Sequence, residues 1–233
     1  MRIQDLDGKK VCILGFGREG QAALKMLEKH APKAQITIAD SNDNLQTTNY
    51  KLKTGHNYLS DLQDFDVLIK SPGIPPSPLL TSYDLRLTTS TQIFLDSIKD
   101  TGAIVIGITG SKGKSTTSTL IYELLKAAGK DVSLIGNIGE PSISHLDEAK
   151  QGKIFVLEMS SYQLMDLTTS PSVAVITSFF PEHLDYHGSL EAYKEAKKHV
   201  ARFQKSDDIV FYNGASEGAT EIAKEGAGKK IAF

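Results

Sequence analysis

Gly113, Lys114 and Ser115 stand between an apolar run at 103–109 and a helical pattern at 114–128. A strand, a glycine turn and a helix that opens on Lys-Ser make an anion cradle. Successive backbone N–H groups converge there, and the helix N-terminus behind them favours negative charge. In such a loop Gly110, Ser111, Lys112, Gly113, Lys114, Ser115 and Thr116 would wrap a nucleoside triphosphate, with Lys114 on the outer phosphates and the Ser115 hydroxyl on Mg²⁺. The strict G-x-x-x-x-G-K pattern asks for glycine at 108; the chain has Ile108, with Gly107 and Gly110 nearby.

A second glycine loop, "GFGREG" at 15–20, matches G-x-G-x-x-G in full. It follows the apolar run 9–14 and leads into 19–30, where Ala22, Ala23, Met26 and Leu27 recur at helical spacing. Gly15 and Gly17 allow a tight turn and close approach to a phosphate, and Gly20 lets the helix lie close to the strand. The strand "QITIAD" ends in Asp40, the usual place for an acid that grips a ribose hydroxyl. Taken alone, these residues predict a dinucleotide site and a dehydrogenase. The loop at 110–116 argues against that, because hydride transfer has no use for a γ-phosphate. Both loops together suit an enzyme that spends ATP on a substrate that is itself a nucleotide conjugate.

Three further residues fall where such chemistry needs them. The apolar strand 153–158 runs into Glu158 and then Ser160, and a carboxylate at a strand end beside a phosphate loop can hold a metal or an attacking water. The strand 172–177 leads into His183 and Asp185, while His187 reads as a surface residue. On a helix over 190–204, Lys197 shares a stripe with Leu190, Tyr193, Val200 and Gln204, and Glu191, Glu195, Lys198 and Arg202 face the other way. A lysine on an apolar face snorkels to the rim or has a partner or altered chemistry.

The elements that must position these groups alternate along the chain. Strands are expected at 9–14, 35–39, 66–70, 103–109, 132–135, 153–158, 172–177 and 208–212, and again in "KKIAF" at the end, with helical patterns between several of them. This alternation predicts an α/β fold of parallel sheets flanked by helices. Carboxyl ends of parallel strands gather on one edge, which would collect the second loop, Glu158 and His183. The segment "SPGIPPSPLL" (71–80) reads as a loop because of its prolines. The polar run 88–92 marks a boundary between a Rossmann-like domain, 1–90, and a P-loop mononucleotide-binding domain, 91–233.

Composition narrows the class. The 233 residues are 40% hydrophobic and 23% charged, enough for a sizeable core, and the net charge of −2 gives no footprint for nucleic acid or an acidic membrane. The single cysteine, Cys12, sits in the first strand and excludes an internal disulfide, as suits a reducing cytoplasm. No run approaches the roughly 18 apolar residues of a membrane helix, and the N-terminus has no apolar signal segment.

Several motifs together resemble the Mur ligases of peptidoglycan synthesis. "GITGSKGKSTT" is similar to their ATP loop, which also lacks the first glycine, and "GNIGEP" (136–141), "EHLDYHGS" and "YKEAK" (193–197) match other blocks in order. "LEMSSYQL" resembles the segment of the branch that adds D-glutamate to UDP-N-acetylmuramoyl-L-alanine. The resemblance implies that the first domain holds the UDP part of this substrate through Gly15, Phe16, Gly17, Arg18, Glu19, Asp40, Ser41, Ser71, Pro72 and Gly73. Asn137, Ser160 and His183 would reach it from the second domain. It implies two Mg²⁺ ions, one facing Ser115 and Glu158, the other His183 and a CO₂-derived carbamate on Lys197, with Lys114, Glu158, His183 and Lys197 as the catalytic set. It further implies a cytoplasmic monomer. Lys112 departs from the asparagine frequent at its position. The family continues past the point matching Phe233 into a third domain for the amino acid, so the portion here is expected to bind without turning over. Other expectations are a family member using a different amino acid, or a silent nucleotide-binding module.

Overall fold

The computed structural model describes residues 1–47, 49–82 and 87–233, save the side chain of Thr81. The chain divides into two compact units, Met1–Ser97 and Ile98–Phe233. Both are parallel sheets flanked by helices, as the alternating pattern predicts.

The first unit contains β1 (Lys10–Leu14), α1 (Arg18–His30), β2 (Gln35–Asp40), β3 (Lys51–Thr54), β4 (Val67–Lys70), α2 (Pro78–Thr81), β5 (Leu87–Thr88) and α3 (Ser90–Ile98). Its strands run parallel in the order β3-β2-β1-β4-β5. Central β1 is apolar because both faces are covered: Val11, Cys12, Ile13 and Leu14 are fully buried. Strand order reverses between β1 and β4, so the crevice beyond their carboxyl ends lies under the first glycine loop.

The second unit contains β6 (Ile104–Thr109), α4 (Lys114–Ala127), β7 (Val132–Gly136), β8 (Ile154–Glu158), α5 (Ser161–Leu164), β9 (Val173–Ile176), α6 (Leu184–His187), α7 (Leu190–Arg202), β10 (Ile209–Tyr212), α8 (Glu217–Ala223) and β11 (Lys229–Ala232). The order is β11-β10-β9-β6-β8-β7, again parallel at every pairing. Ile108, Val156 and Val175 form a core cluster against Ile121, Tyr122 and Leu125 of α4. Burying such a side chain is worth about 1.5–3 kcal/mol, which anchors α4 on the sheet and fixes the loop that precedes it.

Three expectations need correction. Residues 78–81 are a helical turn, not loop: Ser77 caps it by accepting from the Leu80 N–H at 3.2 Å, and Pro78 sits at its start, where no N–H is needed. The two units part after Ser97, not at 90/91, because α3 is tied to the first unit by Ile3 N–H to Ser97 Oγ (3.0 Å) and by Ser90 Oγ to Glu19. Leu190 is 38% exposed, since the first turn of α7 projects past the surface that buries Tyr193, Lys197, Val200 and Gln204. No helix among the described residues is long and apolar enough to cross a membrane.

Candidate functional site

The second glycine loop is built by two glycines in conformations that other residues rarely adopt. Gly110 has φ +154° and Gly113 has φ +84°, and a Cβ on Gly110 would meet Thr177 Oγ1 at 2.0 Å. The loop is tied to the segment after β9. Ser111 N–H donates to Ser178 O at 2.9 Å, Lys112 N–H to Ser178 Oγ at 2.9 Å, and Thr177 Oγ1 to Lys112 O at 2.6 Å. Ser111 Oγ donates to Phe180 O, accepts from Phe180 N–H at 2.8 Å, and lies 3.0 Å from Tyr193 OH. The frame is therefore rigid backbone, while Ser115 and Thr116 are exposed at the start of α4. Lys114 Nζ donates to Gly110 O and Ser111 O, each at 3.0 Å, so its ammonium lies over the loop's crown.

Glu158 ends β8, beside Ile108 of β6. Its side chain is fully buried; Oε1 accepts from Asn137 Nδ2 at 2.8 Å, and Oε2 is buried with no hydrogen-bond partner. An unpartnered buried carboxylate oxygen is costly, and a cation is what it fits. Among the described residues no three His, Cys, Asp or Glu side chains converge on one point. A cation here would complete its shell with phosphate and water oxygens, which is how Mg²⁺ is commonly bound.

Lys197 is 1% exposed. Its Nζ donates to Gly110 O at 2.9 Å and Thr109 Oγ1 at 3.3 Å and lies 4.9 Å from the Tyr193 ring centre; none of these is an anion. Burial, with the Lys114 charge adding and Glu182 opposing, pulls its ammonium down to about 7. At neutral pH much of it is free amine.

His183 has φ +55° and is exposed, its ring 5.1 Å from Tyr162 and 6.0 Å from Tyr193. His187 is not the surface residue the sequence suggests. Half-buried, it stacks on Tyr162 at 5.6 Å, lies 5.3 Å from Tyr193, and places Nε2 3.0 Å from Ser161 Oγ. Burial, then the His183 and Lys197 charges, push its imidazole below the usual range, with Asp185 opposing. The helical spacing of His183 and His187 around Tyr186 is the signal that could have flagged it.

In the first unit Gly15, Phe16, Asp40 and Ser71 meet. Gly15 has φ +84°, and a Cβ there would lie 2.9 Å from Ser71 Cβ, whose Oγ donates to Gly15 O at 2.8 Å. Asp40 does not present a free carboxylate: Oδ2 accepts Phe16 N–H at 2.6 Å and Oδ1 accepts Asn42 N–H at 2.8 Å. It braces the loop. A Cβ on Gly17 would meet nothing within 4 Å, so this face of the loop has room for a phosphate. Glu19 accepts from Ser90, and Arg18, Ser41 and Gly73 are exposed, with Pro72 half-buried between. Ser160 caps α5, accepting Gln163 N–H at 3.3 Å, and Asn137 turns to Glu158.

Comparison with known proteins follows the same residues. A model of the Mur ligase middle domain matches 108–233, a span holding the phosphate loop, Glu158, His183 and Lys197. The chain is 39% identical to UDP-N-acetylmuramoyl-L-alanine--L-glutamate ligase of Salinispora tropica, over 92% of its own length and 48% of that protein's. It is 35% identical to UDP-N-acetylmuramoylalanine--D-glutamate ligase of Acetivibrio thermocellus, over 98% and 51%. The fold is similar to that of MurF ligase from Thermotoga maritima in complex with ADP, at TM-score 0.53 and 19% identity, covering 100% of this chain and 49% of that one. The chain spans about half the length of the curated relatives it matches. With more than half its residues inside the family's middle-domain model, the chain belongs to the Mur ligase family.

Proposed function

We propose that the chain is the substrate- and ATP-binding portion of an ATP-dependent amide ligase of peptidoglycan precursor synthesis. The reaction joins D-glutamate to UDP-N-acetylmuramoyl-L-alanine. The L-alanyl carboxylate attacks the γ-phosphorus, ADP leaves, and the amine then displaces phosphate from the acyl phosphate to form the amide. The observation that supports this most is the gathering of a triphosphate cradle, the unpartnered Glu158 oxygen and the buried Lys197 in one unit. The ADP of the MurF relative accords with it.

Lys114 would neutralise phosphate charge as a carboxylate approaches, and the amides of 110–116 would hold the phosphates in line. The reaction calls for no triad and no nucleophilic cysteine; positioning and charge carry the rate. Two Mg²⁺ ions, one facing Ser115 and Glu158 and one facing His183 and Lys197, would supply further charge neutralisation when bound. Lys197 fits the second role as a carbamate: its neutral amine adds to CO₂ with loss of a proton, converting a buried cation into an anionic oxygen ligand. In the first unit, the open face at Gly17 and the loop braced by Asp40 and Ser71 would take the UDP diphosphate.

A second reading has its own support, because the Salinispora relative is named for L-glutamate. Amide formation assayed with D- and L-glutamate, on a version carrying an amino-acid domain, separates the two: D-glutamate alone should react. For the chain as it stands, UDP-N-acetylmuramoyl-L-alanine and ATP·Mg²⁺ should each bind in equilibrium titrations. Binding of neither would sink the proposal.

A further inference from the structure

Lys112 and Glu182 form a contact that the ligase chemistry above does not use. Lys112 Nζ lies 2.5 Å from Glu182 Oε1, the lysine side chain 76% exposed and the glutamate 21%. Both segments have their backbone held by side-chain hydroxyls. The Lys112 peptide is fixed by Ser178 and Thr177, and the Glu182 segment is fixed through the bonds of Ser111 to Phe180. Only the side chains are free to swing, which takes picoseconds to nanoseconds and needs no loop motion.

Glu182 also stands in unusual company. Lys112 Nζ is its salt-bridge partner, and His183 follows it in the chain. The Glu182 carboxylate thus sits beside a cation that a triphosphate entering the loop would meet. A phosphate brought there would be repelled by Glu182 and attracted by Lys112, so the two anions compete for one ammonium. Exposed ion pairs are weak and easily exchanged, whereas an ammonium on a phosphate oxygen is a charge-assisted bond to a more highly charged partner.

We propose that Lys112 is a ligand of the terminal phosphate held in reserve by Glu182, and that exchange of Lys112 from Glu182 to this phosphate makes the loop prefer a nucleoside triphosphate to the diphosphate. The inference rests on the reading of 110–116 as a nucleotide loop and deepens it. The backbone amides serve the inner phosphates, common to substrate and product, and Lys114 reaches outward to the β- and γ-phosphates. Lys112, two residues earlier and directed to the segment that carries His183, meets the one phosphate that substrate and product do not share. With a diphosphate bound, Glu182 retains Lys112 and the selectivity works for release of product.

The test is equilibrium titration of the chain with ATP·Mg²⁺ and with ADP·Mg²⁺, in the wild type, Lys112→Asn, Glu182→Gln, the double variant and Lys114→Ala. Lys112→Asn should weaken ATP binding about tenfold and ADP binding less than about twofold, the loss of one charge-assisted bond confined to the triphosphate. Glu182→Gln should tighten ATP binding about threefold, and that gain should shrink in the Lys112→Asn background, since freeing Lys112 is part of it. Equal losses for both nucleotides, no loss at all, additive effects, or weaker ATP binding by Glu182→Gln would each overturn the exchange. Failure of the underlying reading looks different. If the wild type binds neither nucleotide, or Lys114→Ala binds both as well as the wild type, the loop is no nucleotide site and both inferences fall. If Lys114→Ala abolishes binding and Lys112→Asn leaves it untouched, only the exchange fails.

Discussion

A lysine with 1% of its surface exposed, among a carbonyl, a hydroxyl and a ring, burdens folding while it is charged. For Lys197 the burden has a pH signature. The unfolded chain keeps its ordinary value of 10.5, and the folded chain has about 7. Below pH 7 both states are protonated and the full cost of burying the cation is present. As pH rises from 7 toward 10.5 the folded state sheds a proton that the unfolded state retains, so stability increases across that window. Urea unfolding at about pH 6 and about pH 9, in buffer free of CO₂, should show wild type gaining about 2–3 kcal/mol relative to Lys197→Met. Labelled bicarbonate should then give a carbamate carbon signal in the wild type and none in Lys197→Met; a wild type without that signal would remove Lys197 from the metal-binding set. Lys197 is legible in the sequence because a charge on an apolar helical stripe contradicts its period. Asp40 is only half legible. Its place after β2 is visible, but its carboxylate is consumed by the N–H groups of Phe16 and Asn42, which no spacing rule reveals.

At the scale of elements, the apolar strands and the helices α1, α4 and α7 are read from the sequence to within two residues, the strands because burial on both sheet faces leaves continuous apolar runs. The short edge strand β3, "KLKT", alternates charges and gives no such run. Helix α3 hides for a different reason. Its opening, Thr89 to Gln92, is polar enough to pass for a linker, yet all four residues are at most 5% exposed, and Thr89 Oγ1 accepts Gln92 N–H at 3.0 Å. The Thr89 hydroxyl caps a buried helix start, and that of Ser90 turns to Glu19 instead of meeting water. The first glycine loop yields a paired prediction. A Cβ on Gly20 would lie 2.1 Å from Gly15 O, against backbone that cannot retreat, whereas one on Gly17 meets nothing. Gly20→Ala should therefore cost about 2–4 kcal/mol in chemical denaturation, and Gly17→Ala no more than about 1 kcal/mol. Equal costs would mean that the close contact of α1 with β1 is not what selects glycine.

At the scale of the molecule, the chain has two parallel-sheet units, each with a glycine loop beyond the carboxyl end of a central strand. The same local geometry serves both, and this is why the first loop alone suggests a nicotinamide cofactor until the second is weighed. The proposed function divides the labour between the loops, with the diphosphate of a UDP-linked precursor on the first and ATP on the second. The most direct measurement is calorimetric titration of both ligands into wild type, Gly17→Val and Lys114→Ala. A Cβ at position 17 meets nothing within 4 Å, and Gly17→Val places a branched side chain on that open face; it should abolish binding of UDP-N-acetylmuramoyl-L-alanine and leave ATP·Mg²⁺ affinity within about twofold. Lys114→Ala should weaken ATP·Mg²⁺ by at least about tenfold and leave the UDP ligand unaffected. Loss of both ligands, or of the wrong one, in either variant would contradict the account.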